Sequence, residues 1–250
     1  MEVFDRIKTI IERVPTGIDR LDDLLSGGFP QNSITLVSGT PGSGKTIMCY
    51  HYIQKGVMGN EKCLYLTSDE RINNIIKQAS ELGFNFKEHV ERGLLKFLYL
   101  DIEKTNVYQE IEHEIRNKNY DRVVLDSITP ISEIPLWACD GINELIPSDG
   151  IKHTTRIPLD SDTATRIHIK KIMGILNKTS CTALVTSEIE EGSRKLSRDS
   201  ISEFLVDGII LMDLDMAMDR RKLMIRKMRA TDHSLKPQNI TIKEGGIQFI

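Results

Sequence analysis

The stretch GTPGSGKT, residues 39–46, constrains the fold of this chain more than any other. It ends SITLVSG (33–39), an apolar run of the kind found in strands buried on both faces, and opens a helix-forming segment from Lys45 to about Val57. A strand that turns through closely spaced glycines into a helix is the first half of a βαβ unit. Such units build parallel sheets, which need helices on both faces.

The rest of the chain repeats the alternation. KCLYLTS (62–68), LLKFLYLD (94–101), DRVVLDS (121–127) and CTALVTS (181–187) read as further strands. Helical spacing marks Ile72, Ile75, Ile76, Ala79 and Leu82, then Val107, Ile111 and Ile115, then Ile169, Ile172, Met173 and Leu176. From Phe204 the pattern changes: FLVDGIILMDL, RKLMIRKM, QNITIK and GGIQFI follow as strands without helices between them. The expected fold is therefore α/β, a single domain over 1–250. Its mostly parallel central sheet is flanked by helices and carries a C-terminal antiparallel extension.

Two segments stand apart. The N-terminal extension, 1–13, fits either a short amphipathic helix or an added strand. Residues 129–163, after the DRVVLDS strand, hold four of the eight prolines and no clean period, as an insert would. Trp137, the only tryptophan, falls there, and a lone tryptophan is expected to anchor its own loop to the core.

A net charge of −3 argues against a chain-wide nucleic-acid footprint. No apolar run approaches the roughly 18 residues of a membrane span. Cysteines 49, 63, 139 and 181 form no C-x-x-C pair, which predicts small core residues rather than disulfides or zinc ligands. With no signal sequence evident, the expected location is the cytoplasm.

GTPGSGKT also matches G-x-x-x-x-G-K-[ST], in the strand-to-helix context that motif requires. Gly39, Thr40, Pro41, Gly42, Ser43, Gly44, Lys45 and Thr46 would form a loop whose backbone N–H groups face phosphate oxygens, aided by the helix dipole. Lys45 would reach the β- and γ-phosphates, and Thr46 would bind Mg²⁺ through its hydroxyl. RVVLDS supplies a second carboxylate for the metal, Asp126, at the end of a buried strand. LTSDER places Asp69 and Glu70 at the same sheet edge, where one or both could orient an attacking water. Glu70 could instead simply start the next helix.

Taken together, VPTGIDRLDDLLSGGFPQNSITLVSGTPGSGKT, YLTSDE, RVVLDS, LVTSE, FLVDGIILM and KMRATDH resemble the KaiC-like branch of the RecA superfamily of ATPases. The likeness runs from Arg13 to Ile250 except over 130–163, as in single-domain archaeal and bacterial members. The resemblance implies ATP as the nucleotide and a homo-oligomeric ring, usually a hexamer, with ATP between neighbours. It also implies that Lys227 and Arg229, the K-x-R pair, reach a neighbour's γ-phosphate. On sequence alone they could be a solvated strand face paired with carboxylates.

Three departures from the family pattern stand out. Asp69-Glu70 replaces a common Glu-Glu, which puts the share of Asp69 in catalysis in doubt. Ala230 replaces a common glycine. Glu203 and Phe204 occupy the positions where a self-phosphorylating domain carries hydroxyl residues, so autophosphorylation is not expected.

The expected function is a regulatory or signalling ring ATPase with unidentified protein partners. One alternative is a DNA-recombination ATPase, disfavoured by the acidic 129–163 segment. Another is a scaffold in which ATP is held without hydrolysis.

Overall fold

Every residue of Ile34–Gly39 is buried, as a strand covered on both faces must be. The computed structural model describes residues 11–104, 106–133, 161–216 and 218–250. In chain order the elements are Arg13–Val14 (β1), Asp19–Leu24 (α1), Phe29–Pro30 (β2), Ile34–Gly39 (β3) and Lys45–Met58 (α2). Cys63–Thr67 (β4), Ile72–Glu81 (α3), Phe86–Glu91 (α4), Leu95–Tyr99 (β5) and Val107–Lys118 (α5) follow. Next come Arg122–Asp126 (β6), Thr129–Ser132 (α6), Ser161–Asn177 (α7), Thr182–Glu188 (β7) and Ser202–Leu205 (α8). The last strands are Gly208–Asp215 (β8), Arg220–Met228 (β9), Gln238–Lys243 (β10) and Gly246–Phe249 (β11).

The main sheet has the order β11-β10-β9-β8-β3-β7-β6-β4-β5. From β8 to β5 all neighbours are parallel, while β9, β10 and β11 are antiparallel additions. The expected α/β fold with a C-terminal antiparallel extension is what forms, with one correction at its start. Strand β8 pairs in parallel with β3, so the antiparallel part begins only at β9. Phe204 and Leu205 belong to α8 rather than to a strand. The reason is local: Asp199 accepts the N–H groups of Ile201 and Ser202 and the Ser202 hydroxyl, curling the chain before the strand can start.

Helices cover both faces. One core layer packs Ile111 and Ile115 of α5 and Ile169 and Ile172 of α7 against the sheet. The other packs Met48 and Ile53 of α2, Ile75 of α3 and Phe86 of α4. Two polar contacts tie distant segments to α2. Arg122, 1% exposed, donates to the carbonyls of Pro15 at 2.6 Å and Tyr52 at 3.0 Å, and to Glu61. His51 Nε2 accepts the Ile247 amide at 2.8 Å, docking β11 on the helix, and burial pulls its pKa down to about 4. Gly246, with φ +90°, leaves room for that imidazole: a Cβ there would lie 2.2 Å from Nε2.

Of the N-terminal extension, residues 13 and 14 form strand β1, paired with β2; residues 1–10 lie outside the described set. The segment read as an insert is partly helical at its ends, where α6 holds 129–132 and α7 starts at 161. Thr165 Oγ1 donates to Ser132 O at 3.0 Å, which brings those ends together. Trp137 and Cys139 lie outside the described residues, and Cys49, Cys63 and Cys181 are buried free thiols. No described helix is long and apolar enough to cross a membrane.

Candidate functional site

The loop between β3 and α2 closes on itself. Gly42 and Gly44 sit at φ +76° and +106°, a region L side chains rarely enter, and Gly44 turns the chain directly into α2. Gly39 is equally confined: a Cβ would stand 2.2 Å from the carbonyl oxygen of Met212 on β8. Arg221 reaches across from β9 and donates to Gly42 O at 3.0 Å, pinning the loop from outside.

Lys45 Nζ donates to the carbonyls of Gly39 and Thr40 at 3.0 and 3.1 Å. Burial pulls its ammonium below the usual lysine range, while the charges of Glu188 and Asp126 act the other way. Thr40 Oγ1 and Ser43 Oγ are buried without a hydrogen-bond partner among the described residues. Pro41 is exposed. A cavity of about 500 Å³ beside it is lined by Gly42, Gly44, Lys45, Thr46, Gln78, Arg221 and Ile242, among others.

Strand β6 delivers Asp126 to the same point. Thr46 Oγ1 donates to Asp126 Oδ2 at 2.9 Å, so the first turn of α2 and the tip of β6 meet. Among the described residues no group of three or more His, Cys, Asp or Glu side chains is placed to hold a metal ion. A cation held at Thr46 and Asp126 would therefore need further oxygen ligands from a bound phosphate group, as Mg²⁺ sites commonly do. The residues present fit that group: two orphaned hydroxyls, a buried ammonium and a hydroxyl–carboxylate pair converge on one loop.

Asp69 and Glu70 follow β4, whose last residue, Thr67, is in register with Asp126. Their side chains diverge. Asp69 Oδ2 accepts the Ser127 hydroxyl at 2.9 Å, which turns it toward the tip of β6. Burial raises its carboxyl above the usual aspartate range; the Ser127 hydrogen bond opposes this and the Asp126 charge adds to it. Glu70 accepts the Gln78 side-chain amide of α3 instead. Burial raises its carboxyl too, against that hydrogen bond.

Lys227 and Arg229 are not part of this cluster. Asp207 N donates to Ile34 O, and Arg229 N to Asp207 O, which puts Arg229 level with the start of β3. Gly39, at the other end, pairs with Met212. Five residues of strand, about 17 Å, separate the two levels. Lys227 Nζ donates to the carbonyls of Glu203 and Val206, at 3.3 and 2.6 Å, and Arg229 pairs with Asp207. Burial and the neighbouring Arg229 charge lower the Lys227 pKa.

A family profile described as "ATPase: KaiC" matches residues 14–136 and 149–250. The chain belongs to the KaiC ATPase family. A UPF0273 protein of Methanocaldococcus jannaschii is 31% identical over 245 residues, covering 95% of this chain and 96% of that one. The circadian clock oscillator protein KaiC of Thermosynechococcus vestitus is 26% identical over 249 residues, and there the match spans 43% of the longer relative. The crystal structure of a KaiC-like protein from Pyrococcus horikoshii OT3 superposes with a TM-score of 0.78 at 28% identity, covering 96% and 99% of the two chains.

In this KaiC-family domain, four residues near the loop are not evident as site residues from the sequence. Tyr65 and Thr186 donate to Asp126, Ser127 donates to Asp69, and Glu188 bears electrostatically on Lys45. Hydroxyls inside apolar strand patterns carry no signal of their own. All four lie in stretches that carry the resemblance, Tyr65 in YLTSDE, Ser127 in RVVLDS, and Thr186 and Glu188 in LVTSE, but those stretches do not say which side chain meets which.

Proposed function

We propose that this KaiC-family chain binds ATP with Mg²⁺ and hydrolyses it in a homo-oligomeric ring. In that ring Lys227 and Arg229 of one subunit serve the nucleotide site of the next. The observation that carries the nucleotide reading is the Thr46–Asp126 contact at 2.9 Å beneath the glycine loop. It joins the two side chains that a metal–phosphate complex requires. When bound, Mg²⁺ would neutralise charge on the β- and γ-phosphates. Lys45 would exchange its two loop carbonyls for phosphate oxygens. Burial raises the pKa of both Asp69 and Glu70, and both accept a hydrogen bond. Ser127 holds Asp69 toward the tip of β6, where Asp126 sits, while Gln78 holds Glu70 toward α3. Asp69 is therefore the better placed to orient or deprotonate water.

The ring reading is supported by the levels of the two ends of β3. Since Arg229 lies about 17 Å along the strand from Gly39, its charge reaches a γ-phosphate most simply from a second copy. Ring size, six by family resemblance, belongs to the same proposal, as do ATP turnover and a regulatory or signalling role through protein partners.

DNA recombination gains no support from the described residues. In the 189–200 loop, Arg198 is engaged by Glu190 and Glu133, which leaves less charge for a phosphate backbone. The test is phosphate release from Mg-ATP by wild type and by Lys45→Ala, alongside solution mass from light scattering with and without nucleotide. Release lost in Lys45→Ala and a nucleotide-stabilised mass near six subunits are expected. A folded wild type that binds ATP without releasing phosphate would favour the scaffold alternative, and a monomer under all conditions would overturn the ring.

A further inference from the structure

Asp126 is gripped from three directions. Thr46 Oγ1 and Tyr65 OH both donate to Oδ2, at 2.9 and 2.7 Å, and Thr186 Oγ1 donates to Oδ1. Thr46 lies in the first turn of α2, directly after the glycine loop. Tyr65 and Thr186 come from β4 and β7, the two strands that flank β6, so the grip is built into the sheet itself. Among the described residues no cation lies within ion-pair distance of Asp126. Its charge is therefore held by hydroxyl donors, and hydrogen bonds to an ionised acceptor are stronger and more directional than neutral ones.

Tyr65 is the unexpected member. Its side chain is fully buried, with the ring 5.3 Å from Phe97 and 6.4 Å from Tyr50, an environment where phenylalanine would pack equally well. The phenol oxygen adds polarity that the core does not need and that only the carboxylate satisfies. Thr186 repeats the logic on the opposite side, within a strand buried from Thr182 to Ser187. Two strands thus each spend a hydroxyl on one carboxylate.

We propose that Tyr65, together with Thr186, is a positioning residue that fixes the Asp126 carboxylate in the orientation needed to hold a divalent cation with Thr46. The inference rests on the Mg-nucleotide reading of the site. Its physical content is that a carboxylate free to rotate loses the alignment of its oxygens with the Thr46 hydroxyl. Outer partners of metal-site residues typically cost 10–100-fold in metal affinity or activity when removed. Neither hydroxyl need touch the nucleotide.

Tyr65→Phe removes one oxygen and keeps the ring. The measurement is binding of a fluorescent N-methylanthraniloyl-ADP, first in EDTA and then titrated with Mg²⁺. Wild type is expected to tighten as Mg²⁺ is added. Tyr65→Phe should match it in EDTA yet need about 10-fold more Mg²⁺ or beyond to reach half-effect. Thr186→Val should behave likewise and Thr186→Ser should recover, a split that general loss of packing would not produce. The Thr186 pair also carries the test should Tyr65→Phe lose its fold. If wild type tightens with Mg²⁺ and both hydroxyl-deleting variants follow the same curve, this inference is overturned while the Mg-nucleotide reading stands. Variants weakened equally in EDTA and in Mg²⁺ overturn it too, because the damage is then to the phosphate cradle. A wild type indifferent to Mg²⁺ removes the metal reading and this inference with it.

Discussion

Asp207 joins Arg229 to Ile34: its Oδ1 accepts the guanidinium at 2.9 Å while its Oδ2 accepts the Ile34 amide at 3.0 Å. The cation proposed to act on a neighbour's nucleotide is thus indexed to the first residue of the strand that carries the glycine loop. Removing Arg229 should leave that strand intact and the local nucleotide site unaltered. Arg229→Ala is expected to lower the turnover number by about 10³-fold or more, with ATP affinity changed far less. Steady-state phosphate release and equilibrium nucleotide binding, measured on the same preparation, check the separation.

Asp69 and Glu70 differ in what holds them, and their variants should differ accordingly. Asp69→Asn preserves the acceptor for Ser127 and removes the base, so turnover is expected to fall by about 10²–10⁴-fold. Glu70→Gln should cost far less. In wild type the base works only when ionised, and burial raises the Asp69 pKa. The acidic limb of the pH–rate profile should therefore lie above the ordinary aspartate range and be missing from the residual activity of Asp69→Asn. A larger loss in Glu70→Gln would reverse the assignment.

His51 predicts an acid-sensitive contact between α2 and β11. Its folded pKa is about 4 against 6.5 for the free side chain, because burial disfavours the imidazolium. The unfolded chain therefore binds a proton more readily, so this contribution is fully present above pH 6.5 and is lost as pH falls toward 4. Gln at 51 can still accept from Ile247 N but cannot titrate. The difference in urea midpoint between wild type and His51→Gln should shift against wild type across that window, by up to about 3 kcal/mol of stability.

Arg122 ties two distant segments to the core, and its removal should cost stability. Truncation to Ala would orphan the Pro15 and Tyr52 carbonyls and empty the space against the Tyr52 ring, whose centroid lies 4.6 Å from the guanidinium. A cost of about 3–5 kcal/mol is expected in chemical denaturation. Glu61 is partly exposed and can turn to water, so the penalty arises from the carbonyls and the cavity rather than from a stranded carboxylate.

Much of the fold was legible because its signals are local. The parallel strands appear as short apolar runs, and GTPGSGKT announces its turn through glycines that the backbone conformation demands. What failed at Phe204 failed for an equally local reason, since the cap at Asp199 lies five residues ahead of the apolar pair it redirects. The site was less legible. Adjacent residues such as Asp69 and Glu70 look equivalent in one dimension, yet successive side chains leave the backbone in different directions. Tyr65 and Thr186 were hidden because their partner, Asp126, is distant in sequence and reaches them only through strand order, which apolar patterning does not encode.

The level difference between Arg229 and Gly39 carries a consequence for symmetry. In a two-fold dimer one residue meets another and the second meets the first. Both ends of the strand would then have to share one self-complementary patch spanning about 17 Å, whereas a head-to-tail junction puts them on opposite sides of the subunit. In the proposed ring a heterologous, head-to-tail junction sets one copy's Arg229 before the next copy's loop, and every chain then gives at one end and receives at the other. Defects at the two ends become complementary. Mixing Lys45→Ala chains with Arg229→Ala chains, each inactive alone, should regain phosphate release wherever a Lys45→Ala subunit lends its intact arginine to an Arg229→Ala neighbour. Activity would belong to the junction, and no single chain would own it.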